Sequence, residues 1–270
     1  MISTKGVVRA AVVAAAWVGV LCAECGANTG LLDGRVAVAD TAGLNPSTAF
    51  TLEAWIRPTT FHLLGQVDGS YQTIIYKWVG VGADQRSYLL DIYEDQLEFA
   101  MSNTGRSDST PGVYSITRLT LNKWTHVAGV FDGTEFSLYI DGEKDTATVS
   151  WPGGAFQGQA PVYIGGTHFP DYQRFHGSID EVRISDVARY SANFTTPSAE
   201  FSPDGHTMLL MHMNEGGGTA TDNIGMLGGD GTLDAGSGWG DGAPIVPEPA
   251  TLSLLTLGGA ALMTRRRKKN

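Results

Sequence analysis

From Arg35 to Met213 apolar and polar residues alternate with a period of two, broken at short intervals by turn residues. The run "FTLEAWIR" sets the pattern, with Phe50, Leu52, Ala54 and Ile56 on one face and Thr51, Glu53, Trp55 and Arg57 on the other. That is the signature of a strand buried on one side. Similar runs recur in "QTIIYKWV", "SYLLDIY", "QLEFAMS", "WTHVAGVF", "EFSLYI", "PVYIGG", "GSIDEVRIS" and "TMLLMHM". Asp132-Gly133 and Asp141-Gly142 lie between apolar runs, where Asp-Gly favours the positive-φ turns of hairpins. With no long helical period, many short strands joined by tight turns predict an all-β fold, an antiparallel β-sandwich.

The two ends break this pattern. Lys5 and Arg9 precede an apolar stretch from Ala10 to Leu21, and small residues follow at Ala23, Gly26 and Ala27, the layout of an export signal helix over residues 1–27. Near the other end, Gly225 to Ala243 carries eight glycines and little that could fill a core, so 225–245 reads as a linker. Ala250 to Met263 is an apolar run of 14 residues, about 21 Å long if helical. A spanning helix normally has about 20 residues, so this predicts a short, marginal transmembrane helix. The cations from Arg265 to Lys269 would stay cytoplasmic and the preceding domain would face outward. The expected organisation is a signal peptide (1–27), a sandwich domain (28–224), a linker (225–245) and a processed tail (246–270).

Charge and cysteine content narrow the function. The formal net charge is -10, but seven of the 18 basic residues lie near the two ends. Residues 28 to 249 hold 11 basic and 27 acidic side chains, a net of -16. Such a body repels phosphate backbones, which argues against nucleic-acid partners and leaves divalent cations and sugars. Both cysteines, Cys22 and Cys25, fall at the signal junction, so the mature chain is stabilised by packing rather than by disulfides.

Four motifs in order, "FTLEAWIRP", "NKWTHVAGVFDGTEFSLYIDGE", "VYIGG" and "FHGSIDEVRISDVARYSANF", carry a resemblance. Over about Leu31 to Phe201 the chain resembles the laminin G-like members of the concanavalin A-like lectin/glucanase superfamily. The resemblance implies a jelly roll of two curved antiparallel sheets. The later run "TMLLMHM" reads either as an extra strand of the sandwich or as the remnant of a second copy. At the C-terminus, "VPEP" followed by an apolar run and a basic cluster resembles the PEP-CTERM sorting signal. For Pro247, Glu248 and Pro249 that implies recognition by the membrane protease exosortase, transient inner-membrane association, and delivery to the cell surface or extracellular matrix.

The resemblance also implies a calcium site in which Asp180 joins Asp33 and Gly34 in supplying hard oxygen ligands. The bland alternative has Asp180 capping a strand or pairing with Arg183 or Arg57. For glycan or extracellular polysaccharide, the candidates are Trp78, Trp151, His168 and Tyr172, aromatic residues flanked by loop-forming Gly and Pro. Trp55, Trp124 and His126 read as structural. The compact Glu-x-Asp-x-x-Glu motif of the glucanases is missing. In "LLDIYEDQLEF" the acids Asp91, Glu94 and Asp95 read as solvated turn residues. No paired acid and base is legible, and the expected function is non-catalytic adhesion or carbohydrate binding. The competing readings are a glycoside hydrolase and a purely structural matrix protein.

Overall fold

The computed structural model describes residues 28–46, 48–62, 70–80, 84–107 and 110–245. Hairpin turns and alternation produce β1 (Thr29–Leu32), β2 (Val36–Val38), β3 (Phe50–Pro58), β4 (Tyr71–Val79), β5 (Gln85–Tyr93), β6 (Gln96–Met101), β7 (Gly112–Arg118) and β8 (Thr125–Phe131). They continue with β9 (Glu135–Ile140), β10 (Glu143–Ser150), β11 (Val162–Ile164), β12 (Gly177–Ser185), β13 (Thr207–Met211), β14 (Ala220–Thr221), β15 (Gly231–Leu233) and β16 (Gly238–Asp241). Asp141 and Gly142 have φ of 50° and 80°, the paired left-handed conformation that lets the β9–β10 hairpin close in two residues.

Two antiparallel sheets result. The first runs β10-β9-β8-β3-β12-β1-β16, with β13 beside β12, and the second β14-β15-β2-β11-β4-β5-β6-β7. The main core lies between them. Phe50, Leu52, Ala54 and Ile56 of β3 pack there with Tyr88, Leu90, Ile92, Leu97, Phe99 and Met101 of the second sheet.

Two expectations are corrected and one open alternative is decided. The single helical element among the described residues is a 3-10 turn at Ala42–Leu44, and none of these residues forms a helix long and apolar enough to cross a membrane. The signal helix and the short transmembrane helix are expected at positions outside the described residues; the described residues form an all-β two-sheet sandwich, and the fold class is corrected to that. Second, the segment expected to be a linker carries β15, which pairs with β2, and β16, which pairs with β1. Its glycines serve close packing: a Cβ on Gly231 would lie 2.3 Å from Val36 Cγ1. Of the two readings of "TMLLM", the extra strand holds: it is β13, registered along β12 from Val182 to Ser185.

Strand β3 is buried on both faces rather than one. Its outward residues Thr51 and Glu53 are inaccessible and Trp55 nearly so, because the segment from Val187 to Phe201 folds over the first sheet. Tyr190 and Phe194 stack at 3.6 Å between centroids and pack on Ala128, Val130 and Tyr139. Phe201 packs with Trp55, Leu210, Ala243 and Ile245. Glu53 anchors this cover. Its carboxylate accepts 2.7 Å hydrogen bonds from Arg183 Nε and the Tyr190 hydroxyl and lies 3.2 Å from His126 Nε2.

Burial by itself would raise the Glu53 pKa, but the His126 hydrogen bond and the Arg183 charge outweigh it and hold the group at about 2. A carboxyl depressed from 4.5 to about 2 stabilises the fold fully above the higher value, and the contribution is lost as pH falls through the lower one. Urea unfolding of Glu53→Ala at pH 7 should show a loss of about 3–5 kcal/mol, as expected when a buried ion pair is broken. Glu53→Gln should lose less stability than the wild type between pH 4.5 and about 2.

Candidate functional site

The outer face of the second sheet is not covered in this way. It carries an open groove of about 450 Å³. Strand alternation builds its floor: Tyr88, Leu90 and Ile92 of β5 enter the core, which turns Leu89 and Asp91 outward, and on β6 the same rule turns out Glu98 and Ala100. On β4 an irregularity between Thr73 and Ile75 sends both Ile74 and Ile75 into the core. That shift of parity brings Tyr71 from before it and Tyr76 and Trp78 from after it to the same outer face.

The loop from Gly165 to His176 makes one wall. Its Thr167 hydroxyl bonds to the carbonyls of Phe169 and Tyr172, and Gln173 O accepts the Thr73 amide at 2.9 Å. His168 stacks on Tyr76 at 6.2 Å and on Phe169 at 4.0 Å, while Phe169 and Tyr172 stand half-exposed at the rim. Tyr114 of β7 closes the opposite side and meets Tyr93 edge-on.

At the base Asp91 and Glu98 are direct cross-strand partners, a placement that sets Cβ atoms about 5 Å apart. They are only 2% and 8% exposed. Asp91 Oδ1 and Glu98 Oε2 have no hydrogen-bond partner among the described residues. Burial, then the neighbouring Glu98 charge, pushes the Asp91 carboxyl far up. Burial pushes Glu98 to about 7 against the opposing effect of the Tyr114 hydroxyl. Near neutral pH the floor therefore holds both acid and carboxylate forms, the behaviour of two carboxyls forced together.

Of the sequence candidates, Trp78, His168 and Tyr172 converge on this groove. Trp151 does not; it packs against the main core. Asp33 and Asp180 bond to different stretches of backbone. Asp33 stands opposite Gly177, whose amide it accepts at 2.7 Å, three positions along β12 from Asp180. Both Asp180 oxygens accept backbone amides, from Ala243 at 2.7 Å and Glu181 at 2.8 Å. Pro247, Glu248 and Pro249 lie outside the described residues.

The groove also contains what the sequence did not yield. Asp91 was expected in a solvated turn, yet the turn is confined to Glu94 and Asp95, with Glu94 at φ 55°. Asp91 lies inside β5. The legible signal was its period-two position with Leu89, opposite to the core-facing Leu90 and Ile92.

A carboxyl whose folded pKa is raised has the reverse linkage to Glu53: its folded form holds the proton more tightly, and stability is lost as pH rises from 4.5 through about 7. Glu98→Gln should therefore be more stable than the wild type at pH 8, by about 1–3 kcal/mol. The two should converge near pH 4, a comparison that thermal or urea unfolding can make directly.

The model of the concanavalin A-like lectin/glucanases superfamily matches residues 28–193, and that of the PEP-CTERM protein-sorting motif matches 246–268. No curated protein matches the chain. Among solved structures it is similar to a proposed carbohydrate binding protein from Bacteroides ovatus, at 22% identity and a TM-score of 0.59 over 82% of this chain. The match spans 62% of that protein's length. It is also similar to the native heptameric SAP-like pentraxin of Limulus polyphemus, at 13% identity and a TM-score of 0.48 over 80% of this chain and 95% of that one. A third is the carbohydrate-binding module CBM40 of the Ruminococcus gnavus IT-sialidase, at 14% identity and a TM-score of 0.46 over 60% of this chain and 92% of that one. The chain belongs to the concanavalin A-like lectin/glucanase superfamily, in a laminin G-like form, and carries a PEP-CTERM protein-sorting motif.

Proposed function

We propose that the protein is an exported, non-catalytic carbohydrate-binding domain that engages extracellular polysaccharide through the groove on the outer face of the second sheet. The observation that carries this reading is the convergence of Tyr71, Tyr76, Trp78, Tyr114, His168 and Tyr172 around a polar floor. Sugar rings present apolar C–H faces and polar edges, so they pack on aromatic walls while buried acceptors orient them. The Bacteroides ovatus neighbour's description as a carbohydrate binding protein supports the same class. The absence of the glucanase Glu-x-Asp-x-x-Glu motif supports binding without cleavage.

The sorting motif supplies the route. Exosortase acts on the tail that begins at residue 246, after transient association with the inner membrane, and releases the domain to the cell surface or matrix. The Pro-flanked Glu248 suits a protease that needs an extended, helix-free segment.

Trp78→Ala and Tyr172→Ala should each weaken retention on a polysaccharide affinity gel by about tenfold, since one stacked ring contributes on the order of 1 kcal/mol or more. Their melting temperatures should stay near the wild type, and no reducing ends should be released from the bound polymer. Unchanged retention in both variants would remove the groove as the binding site. Mass spectrometry of surface-released protein should show a C-terminus lacking the Arg265–Lys269 cluster. Replacing Pro247, Glu248 and Pro249 together with Ala should leave that cluster attached.

A further inference from the structure

Asp91 and Glu98 pose a problem that a neutral sugar solves only in part, since its hydroxyls can fill open acceptors but leave a buried charge uncompensated. Two carboxyls are buried side by side, each with an oxygen that no described group satisfies, and neither has an ion pair with a described cation. Buried acceptors without partners are costly and are normally eliminated or occupied. Arg86, the cation lining the groove, stands opposite Trp78 at the other end of the β4–β5 register from Asp91, which stands opposite Thr73. Its guanidinium is turned to Asp84. The acid end is ringed instead by Tyr71, Tyr76, Tyr114 and Tyr172. The faces of such rings attract cations, and their hydroxyls can donate to a sugar edge.

On this basis we infer that the groove selects sugars bearing a protonated amino group, as in de-N-acetylated amino-sugar polymers, with the ammonium seated between Asp91, Glu98 and the tyrosine faces. The inference rests on the glycan-binding reading and narrows it. An ammonium has three donors, enough for the two orphan oxygens and one tyrosine hydroxyl, and its charge compensates the buried carboxylate. A calcium ion takes six to eight oxygens, and among the described residues lining the groove the carboxyls are these two. Uronic, sulfated or other acidic sugars would meet repulsion from the floor and from the acidic body.

The test is calorimetric titration of the full chain with a fully de-N-acetylated glucosamine oligomer and with its N-acetylated counterpart of equal length. The amino oligomer should bind the wild type at least about tenfold more tightly, since charge-assisted hydrogen bonds exceed neutral ones by about that factor. The double variant Asp91→Asn, Glu98→Gln should lose that preference and bind the two oligomers with similar affinity, whatever its absolute affinity becomes. That control separates the groove from general attraction of a cationic oligomer to an acidic protein, because the body charge hardly changes. Should the double variant not fold, Glu98→Gln alone carries the same comparison with the same expected direction. Equal affinity of the wild type for both oligomers, or a preference that survives the substitutions, overturns the ammonium inference and leaves glycan binding standing. Failure to bind either oligomer, with the gel retention also absent, overturns both.

Discussion

Glu53 holds the architecture in its asymmetric form. It sits in the middle of β3, with no exposed surface, and it gathers Arg183 from the neighbouring strand, His126 from β8 and Tyr190 from the covering segment. A carboxylate at that position is tolerable only when its charge is matched and its oxygens are filled. Matching it draws the segment after β12 down onto the first sheet. One outer face of the sandwich is thereby sealed with aromatic residues, and the second sheet is left as the face on which a ligand can be met.

The same fold treats buried carboxyls in three different ways, and the contrast distinguishes structure from function. Glu53 is paired and its pKa depressed. Glu181, held at φ 50° by a bulge in β12, binds His212 Nδ1 at 2.5 Å and the Phe201 amide at 2.7 Å, so its oxygens are also engaged. Asp91 and Glu98 alone combine burial, mutual proximity and open acceptors, and they do so at the bottom of a groove. Satisfied acids hold covering segments in place. Unsatisfied ones facing a cavity indicate a partner that arrives from outside.

How much of this could be read from the chain depends on what each feature is made of. The inward face of β3 and the Asp141-Gly142 turn were legible because side-chain period and turn chemistry are local properties. The double burial of β3 was not, because the cover comes from residues more than 130 positions away. Three of the four aromatics flanked by loop-forming residues, Trp78, His168 and Tyr172, lie at the groove, whereas Tyr71 and Tyr76 were hidden by a strand irregularity that period-two reading cannot see. Asp91 was obscured by the acids of the adjacent turn. Strands β15 and β16 escaped because glycine-rich segments pair through backbone amides and leave no pattern in side-chain hydropathy. Asp33 and Asp180 were named without their register: Asp33 lies opposite Gly177, three positions along β12 from Asp180.

Finding β15 and β16 inside the sheets also changes the relation between the body and its sorting signal. The body does not end near residue 224 with a loose tether of some 20 residues; it continues to Ile245, which is buried with Trp55, Phe201 and Leu210. The PEP-CTERM motif begins at the next residue. A protease working at Pro247 to Pro249 is therefore confined to roughly 15 Å of chain from the packed surface, at about 3.5 Å per residue. Removal of residues 243–245 would strip Asp180 of the Ala243 amide and uncover the aromatic cluster on the first sheet. A cut that leaves the domain intact would therefore have to fall beyond Ile245, because the packing of Ala243 and Ile245 belongs to the sheet itself.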